Sequence, residues 1–130
     1  MKVMLLGKST SLASIRNYEA MKPPSDEALQ AMHNFNEELT KAGVLLDLGG
    51  LTPSSHGARV RYTRKRRTVI DGPFAEAKEL VGGYSVLQVS SLAEAIEWAK
   101  RAPFGVGLVD DEEMECELRP LFDPTMFDPR

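Results

Sequence analysis

Cysteine is almost missing. Cys116 is the single one in 130 residues. No disulfide can form within the chain, and no multi-cysteine metal site can be built. Long apolar runs are missing too. Val3-Met4-Leu5-Leu6 at the start falls short of the roughly 7–15 apolar residues of a signal-peptide core. Nothing approaches the roughly 18–20 residues of a membrane span. The expected location is the reducing cytoplasm, with no membrane partner. An excess of one charge is absent as well. Sixteen basic and 19 acidic residues leave −3, so no nucleic-acid partner is expected. The two histidines, His33 and His56, have no close carboxylate motif and make a weak metal signal. No metal and no cofactor are expected. Gly7-Lys8-Ser9 looks like the end of a phosphate loop, but Lys2 stands where its first glycine is required.

What remains is ordinary material for one domain. Hydrophobic residues make up 42% and charged residues 27%, which fits a chain that buries its own core. Val3 to Leu6 is apolar at every position, as in a strand buried on both faces. Lys8 to Pro24 reads as a polar, irregular connection. Ser25-Asp26-Glu27 then starts a helix: the serine caps free amides and the acids complement the dipole. Ala28, Leu29, Met32, Phe35, Leu39 and Ala42 recur at helical spacing, and Gly43 supplies a left-handed stop. A helix over about Asp26 to Ala42 follows.

Val44 to Leu48 is a second strand, broken by Gly49-Gly50. Ala58 to Tyr62 and Arg67 to Ile70 alternate charged with apolar residues. Joined by Thr63 to Arg66, they predict a hairpin with one wet face. Glu76 to Leu80 reads as a short helical turn, punctuated by Gly82-Gly83, and Tyr84 to Val89 as a strand. Ser91-Leu92-Ala93-Glu94 is a capping box ahead of a helix that Pro103 ends. Gly105 to Glu113 is a loop and Met114 to Leu118 a last strand. Without the hairpin the order is βαββαβ, the pattern of ferredoxin-like α+β sheets. Both helices then cover one face of an antiparallel sheet. The other face needs a second copy, so a homodimer is expected.

Asp71-Gly72-Pro73-Phe74-Ala75-Glu76-Ala77-Lys78-Glu79-Leu80, followed by Gly83-Tyr84, resembles the signature of the DGPF group of YCII-related proteins. Phe35-Asn36-Glu37-Glu38-Leu39, Pro53-Ser54-Ser55, Ala95-Ile96-Glu97-Trp98-Ala99 and Glu117-Leu118-Arg119-Pro120 resemble that group in the same order. The resemblance runs from Met1 to Phe122, which makes 1–122 the domain and 123–130 a tail. It implies a ferredoxin-like protomer with an inserted hairpin and a dimeric α/β barrel. Members are small bacterial proteins, some associated with sigma factors, and most have no established role. Many carry a His–Asp pair as a proposed catalytic dyad. Here Met32 and Ala102 fall at those positions, and neither can exchange a proton.

Asp71 is the first site candidate, as a carboxylate beside a sharp turn. Its structural alternative is an Asx turn. His56, in the loop before the hairpin, is a weak candidate base; a solvated loop histidine is the alternative. Glu76 and Lys78 flank the Asp71 turn as ligand-binding candidates, or as plain surface charge. Arg59 could clamp an anion with Arg61. Arg59 to Arg67 holds six positive charges and Asp110 to Glu117 six negative, so the two segments can neutralise each other within or between subunits.

Three functional readings follow. The first is a homodimer binding a small molecule in a cleft between sheet and helices near Asp71. The second is a cofactor-free enzyme of lyase, isomerase or oxygenase type, with Asp71 or His56 moving a proton. The third is an interaction module linked to sigma factors, which rests on the resemblance alone.

Overall fold

The computed structural model describes residues 1–74 and 78–127. Along the chain run β1 (Lys2–Ser9), α1 (Leu12–Glu19), α2 (Asp26–Lys41), β2 (Leu45–Gly50), β3 (Ala58–Tyr62), β4 (Arg67–Asp71), β5 (Leu80–Gln88), α3 (Leu92–Arg101) and β6 (Met114–Pro120). Four strands form one antiparallel sheet in the order β2-β5-β1-β6. With β3 and β4 set aside as an insertion, this is the ferredoxin-like α+β arrangement.

The core lies on one face of the sheet. Val3 and Leu5 of β1 meet Leu87 and Val89, and above them pack Phe35 and Leu39 of α2 and Ala95 of α3. The Phe35 and Trp98 rings meet edge to face at 6.4 Å, which locks α2 to α3. Side chains alternate along a strand, so Met4, Leu6 and Lys8 point to the other face. There Met4 pairs with Val86, and Leu6 with Tyr84. The helices cover only the Val3 and Leu5 side. Double-sided burial of Val3 to Leu6 is not completed within one chain: Met4 and Leu6 stay half-buried.

Caps act where the spacing places them. The Ser25 hydroxyl accepts from the Ala28 amide at 3.1 Å, and Gly43 closes α2 with φ of +72°. Ser91 accepts from the Glu94 amide at 3.2 Å. The Glu94 carboxylate, however, accepts from the Ser90 amide at 2.7 Å, one residue upstream of the capping-box partner.

The expected irregular connection from Lys8 to Pro24 is wrong over α1. Ser11 caps this helix by accepting from the Ser14 amide at 3.2 Å. Two turns are too short to display an apolar stripe, and tertiary contacts supply what propensity does not. Strand β2 also continues through Gly49-Gly50, because β5 offers Tyr84 and Gly83 as ladder partners. Gly82 and Gly83 lie inside β5 beside a bulge, rather than between elements. Leu80 begins that strand; the remainder of the expected helical turn, Glu76 included, falls partly outside the described residues.

The hairpin β3–β4 forms a separate two-stranded sheet, with Val60 opposite Val69 and Tyr62 opposite Arg67. Thr63 closes its turn, its amide donating to the Arg66 carbonyl at 3.0 Å and its hydroxyl accepting from the Arg66 amide at 3.1 Å. Both faces are wet: only Ile70 is half-buried.

Candidate functional site

The residues singled out from sequence do not gather on one surface. Asp71 ends β4 opposite Ala58, whereas Arg59 pairs with Ile70. Alternation therefore sets Asp71 and Arg59 on opposite faces of the hairpin. Among the described residues the Asp71 carboxylate has no hydrogen-bond partner, and an Asx turn does not form there. Arg59 lies over the Phe74 ring, 3.8 Å from its centroid. That stacking occupies the guanidinium face. His56 is exposed at the end of a single 3-10 turn, Ser54–His56. Lys78 is exposed. Glu76 lies outside the described residues.

What the Asp71 turn does touch is that 3-10 turn. The Gly72 amide donates to the Gly57 carbonyl at 3.0 Å, and the Phe74 amide to the Ser54 hydroxyl at 3.2 Å. Ser54 is buried, and its amide donates to the Glu19 carboxylate at 2.9 Å, with its hydroxyl on the second oxygen. Glu19, Ser54 and Phe74 thus join α1 to the root of the hairpin. Sequence reading missed this relay because Glu19 sits 35 residues from Ser54.

A second polar cluster lies on the sheet face turned away from the helices. Lys8 is only 5% exposed. Its ammonium donates to Glu117 at 2.7 Å and to Glu79 at 3.1 Å. Hydrogen bonds to Glu117 and then Glu79 hold the Lys8 pKa above its usual value. Those from Lys8 and Arg119 hold the Glu117 carboxyl below its own. Arg119 reaches Glu117 at 3.1 Å.

A half-open cavity of about 490 Å³ lies elsewhere, on the helix side beyond the end of β1. Ser9 forms its floor. Asn17 and Tyr18 of α1 make one wall, Pro23, Pro24 and Ala28 a second, and Phe104 to Val109 a third. The lining is mostly apolar, with Lys22 among it. None of Asp71, His56, Arg59 or Lys78 borders it.

Hydrogen bonds clasp the third wall to α1. The Glu113 amide donates to the Ser14 hydroxyl at 2.7 Å and to the Ser11 hydroxyl at 3.0 Å. Glu112 accepts from the Asn17 amide group at 2.9 Å and from the Val109 amide at 3.0 Å. Asn17, then the Val109 amide and the charge of Lys22, keep the Glu112 carboxyl below the ordinary range. Burial, with Glu19 adding to it, pushes the Tyr18 hydroxyl up. Gly107 allows the loop to approach α2: its φ is +85°, and a Cβ there would stand 3.2 Å from the Ser25 hydroxyl. The one local signal for this site is Ser11, a capping serine whose hydroxyl accepts from the Ser14 amide.

Ala28 lies one helical turn before Met32, and Phe104 two residues after Ala102. The cavity therefore adjoins the positions matched to the dyad. Met32 and Ala102 themselves pack against the core. His33 is exposed and meets Glu37 at 3.1 Å. Among the described residues, no group of three or more His, Cys, Asp or Glu side chains stands together as a metal site. No helix among them is long and apolar enough to cross a membrane.

The profile of the YCII-related domain matches residues 1–114. An uncharacterized protein of Rhizobium meliloti (strain 1021) is similar, at 29% identity over 79 residues, 61% of this chain. The chain covers 64% of that relative, less than two thirds of its length.

Proposed function

The chain belongs to the YCII-related family, and from that membership we propose that it is a homodimer binding a small, mostly apolar molecule in the cavity at the end of β1. The observation that carries the binding reading is the cavity itself: about 490 Å³, walled by α1, by Pro23, Pro24 and Ala28 and by Phe104 to Val109, with Ser9, Asn17 and Lys22 as polar groups on a mostly apolar lining. The volume suits a small organic molecule. Apolar walls favour its carbon skeleton, and Lys22 favours a carboxylate at the mouth.

Binding is favoured over turnover. A proton shuttle works best with groups that titrate near neutral pH. Here Glu112 is held low and Tyr18 is pushed high, so neither is tuned to pass a proton. The dimer reading is supported by Met4, Leu6, Tyr84 and Val86 on the sheet face without helices. Face-to-face packing of two such sheets would complete a barrel.

A panel of small aromatic carboxylates, beginning with phenylacetate, tests the site by ligand-observed NMR. We expect binding that Ala28→Trp abolishes and Asp71→Asn leaves alone. The reverse pattern would move the site to the Asp71 turn, whose carboxylate is free of partners among the described residues. Light scattering tests the dimer.

A further inference from the structure

The hairpin and the segment leading into β6 carry equal and opposite charge, yet one chain does not bring them together. Six basic residues stand within Arg59 to Arg67 and six acidic within Asp110 to Glu117. Among the described residues, no basic side chain of the hairpin forms a salt bridge. The hairpin is a sheet of its own inserted between β2 and β5, and the acidic segment enters β6. Strands β2 and β6 are the two edges of the main sheet, three strand spacings or about 14 Å apart.

Among the described residues the hairpin also lacks a cover. Val60, Tyr62 and Val69 share one face and are 45%, 69% and 65% exposed. An isolated two-stranded ribbon is marginal in water. Crowded like charges make it worse.

We propose that the hairpin is an arm that docks on a second copy of this chain, against the acidic β6 edge of that copy. This rests on the homodimer reading above. A two-fold axis running parallel to the strands, between two face-packed sheets, sets the β2 edge of one protomer opposite the β6 edge of its partner. The contact is then made twice, and each ribbon buries its apolar face while its charges are neutralised. Duplex DNA is the weaker occupant. The same chain holds an acidic segment whose Asp110, Asp111 and Glu115 form no salt bridge among the described residues, and the one aromatic among the arginines, Tyr62, already carries Arg67 over its ring at 5.1 Å.

Two experiments on the full chain decide it. In a Cys116→Ser background, Arg64→Cys in one copy and Asp111→Cys in another should form an oxidised dimer on mixing. Separately, the triple variant Arg61→Glu, Arg64→Glu, Lys65→Glu should raise the dimer Kd at least tenfold by sedimentation equilibrium. Mixing it with Asp110→Lys, Asp111→Lys, Glu115→Lys should restore association. That rescue requires both variants to be folded, so loss through misfolding is excluded by the same readout. A wild-type chain that stays monomeric overturns the homodimer reading and the arm with it. A dimer that neither triple variant weakens overturns the arm alone. DNA retention that the arm variant abolishes, with dimerisation unchanged, would also overturn it and assign the arginines to phosphate.

Discussion

The carbonyl oxygen of Ser54 lies 1.7 Å from where a Cβ on Gly72 would stand. The Asp71-Gly72-Pro73-Phe74 turn is pressed backbone to backbone onto the Ser54–His56 turn. Glycine is needed there for close approach, because its φ is ordinary. The signature residues therefore act first as a joint. They seat the hairpin on α1 through Ser54 and Glu19.

Gly72→Ala should destabilise the chain by about 2 kcal/mol or more, since the obstacle is backbone and cannot rotate away. Gly105→Ala is the control: nothing lies within 4 Å of its Cβ position. Its effect should stay within about 0.5 kcal/mol. Urea unfolding of the two variants measures the difference.

The Lys8 cluster predicts a pH window. Lys8 has a raised pKa in the folded chain, so its contribution is complete below the unfolded value of 10.5 and is lost as pH rises through the folded one. Glu117 has a lowered pKa, so its contribution is complete above 4.5 and is lost as pH falls through the folded one. Lys8→Met should flatten the alkaline limb and shrink the acid limb as well, because Lys8 is the first cause of the lowered Glu117 pKa and only Arg119 then remains to hold it down. Unfolding free energies across a pH series give both limbs.

Ser14→Ala removes the shorter of the two hydrogen bonds the Glu113 amide donates and leaves the one to the Ser11 hydroxyl at 3.0 Å. The expected cost is about 0.5–1.5 kcal/mol, the net worth of one hydrogen bond. Hydrogen exchange should accelerate first in residues 104–113, because the cavity wall loses its clasp.

Arg101 bridges helices α3 and α2 by pairing with Glu38, and its guanidinium lies 4.6 Å from the Trp98 ring centroid. Both pair members are exposed. Glu38→Gln should cost under about 1 kcal/mol. Arg101→Ala should cost more, by about 0.5–1 kcal/mol, since the ring contact goes too. A double-mutant cycle separates the two contributions.

Most of the fold was legible because its signals are local. Ser25, Gly43 and Ser91 mark helix ends within four residues of the groups they satisfy. The alternation of Arg59 to Tyr62 marked the hairpin, but the expected single wet face was wrong, since both faces stay exposed. Helix α1 was not legible, because Leu12–Glu19 is held by partners such as Glu113 and Gly82 that lie far along the chain. The cavity was hidden for the same reason, since α1 is one of its walls. The Lys8–Glu117 pair depends on which strands are neighbours. That information is absent until the order β2-β5-β1-β6 is known. The charge balance of the two segments was readable, but the separation of β3 and β4 into a sheet of their own was not.

The wet ribbon of β3 and β4 has one more consequence. Under the proposed docking on a second copy, the ribbon is a gauge of that association. Amide hydrogens paired only across two strands, with water on both sides, swap with solvent readily when nothing shelters them. Their lifetimes should lengthen as protein concentration rises, while those of β1, already deep in the sheet, stay fixed.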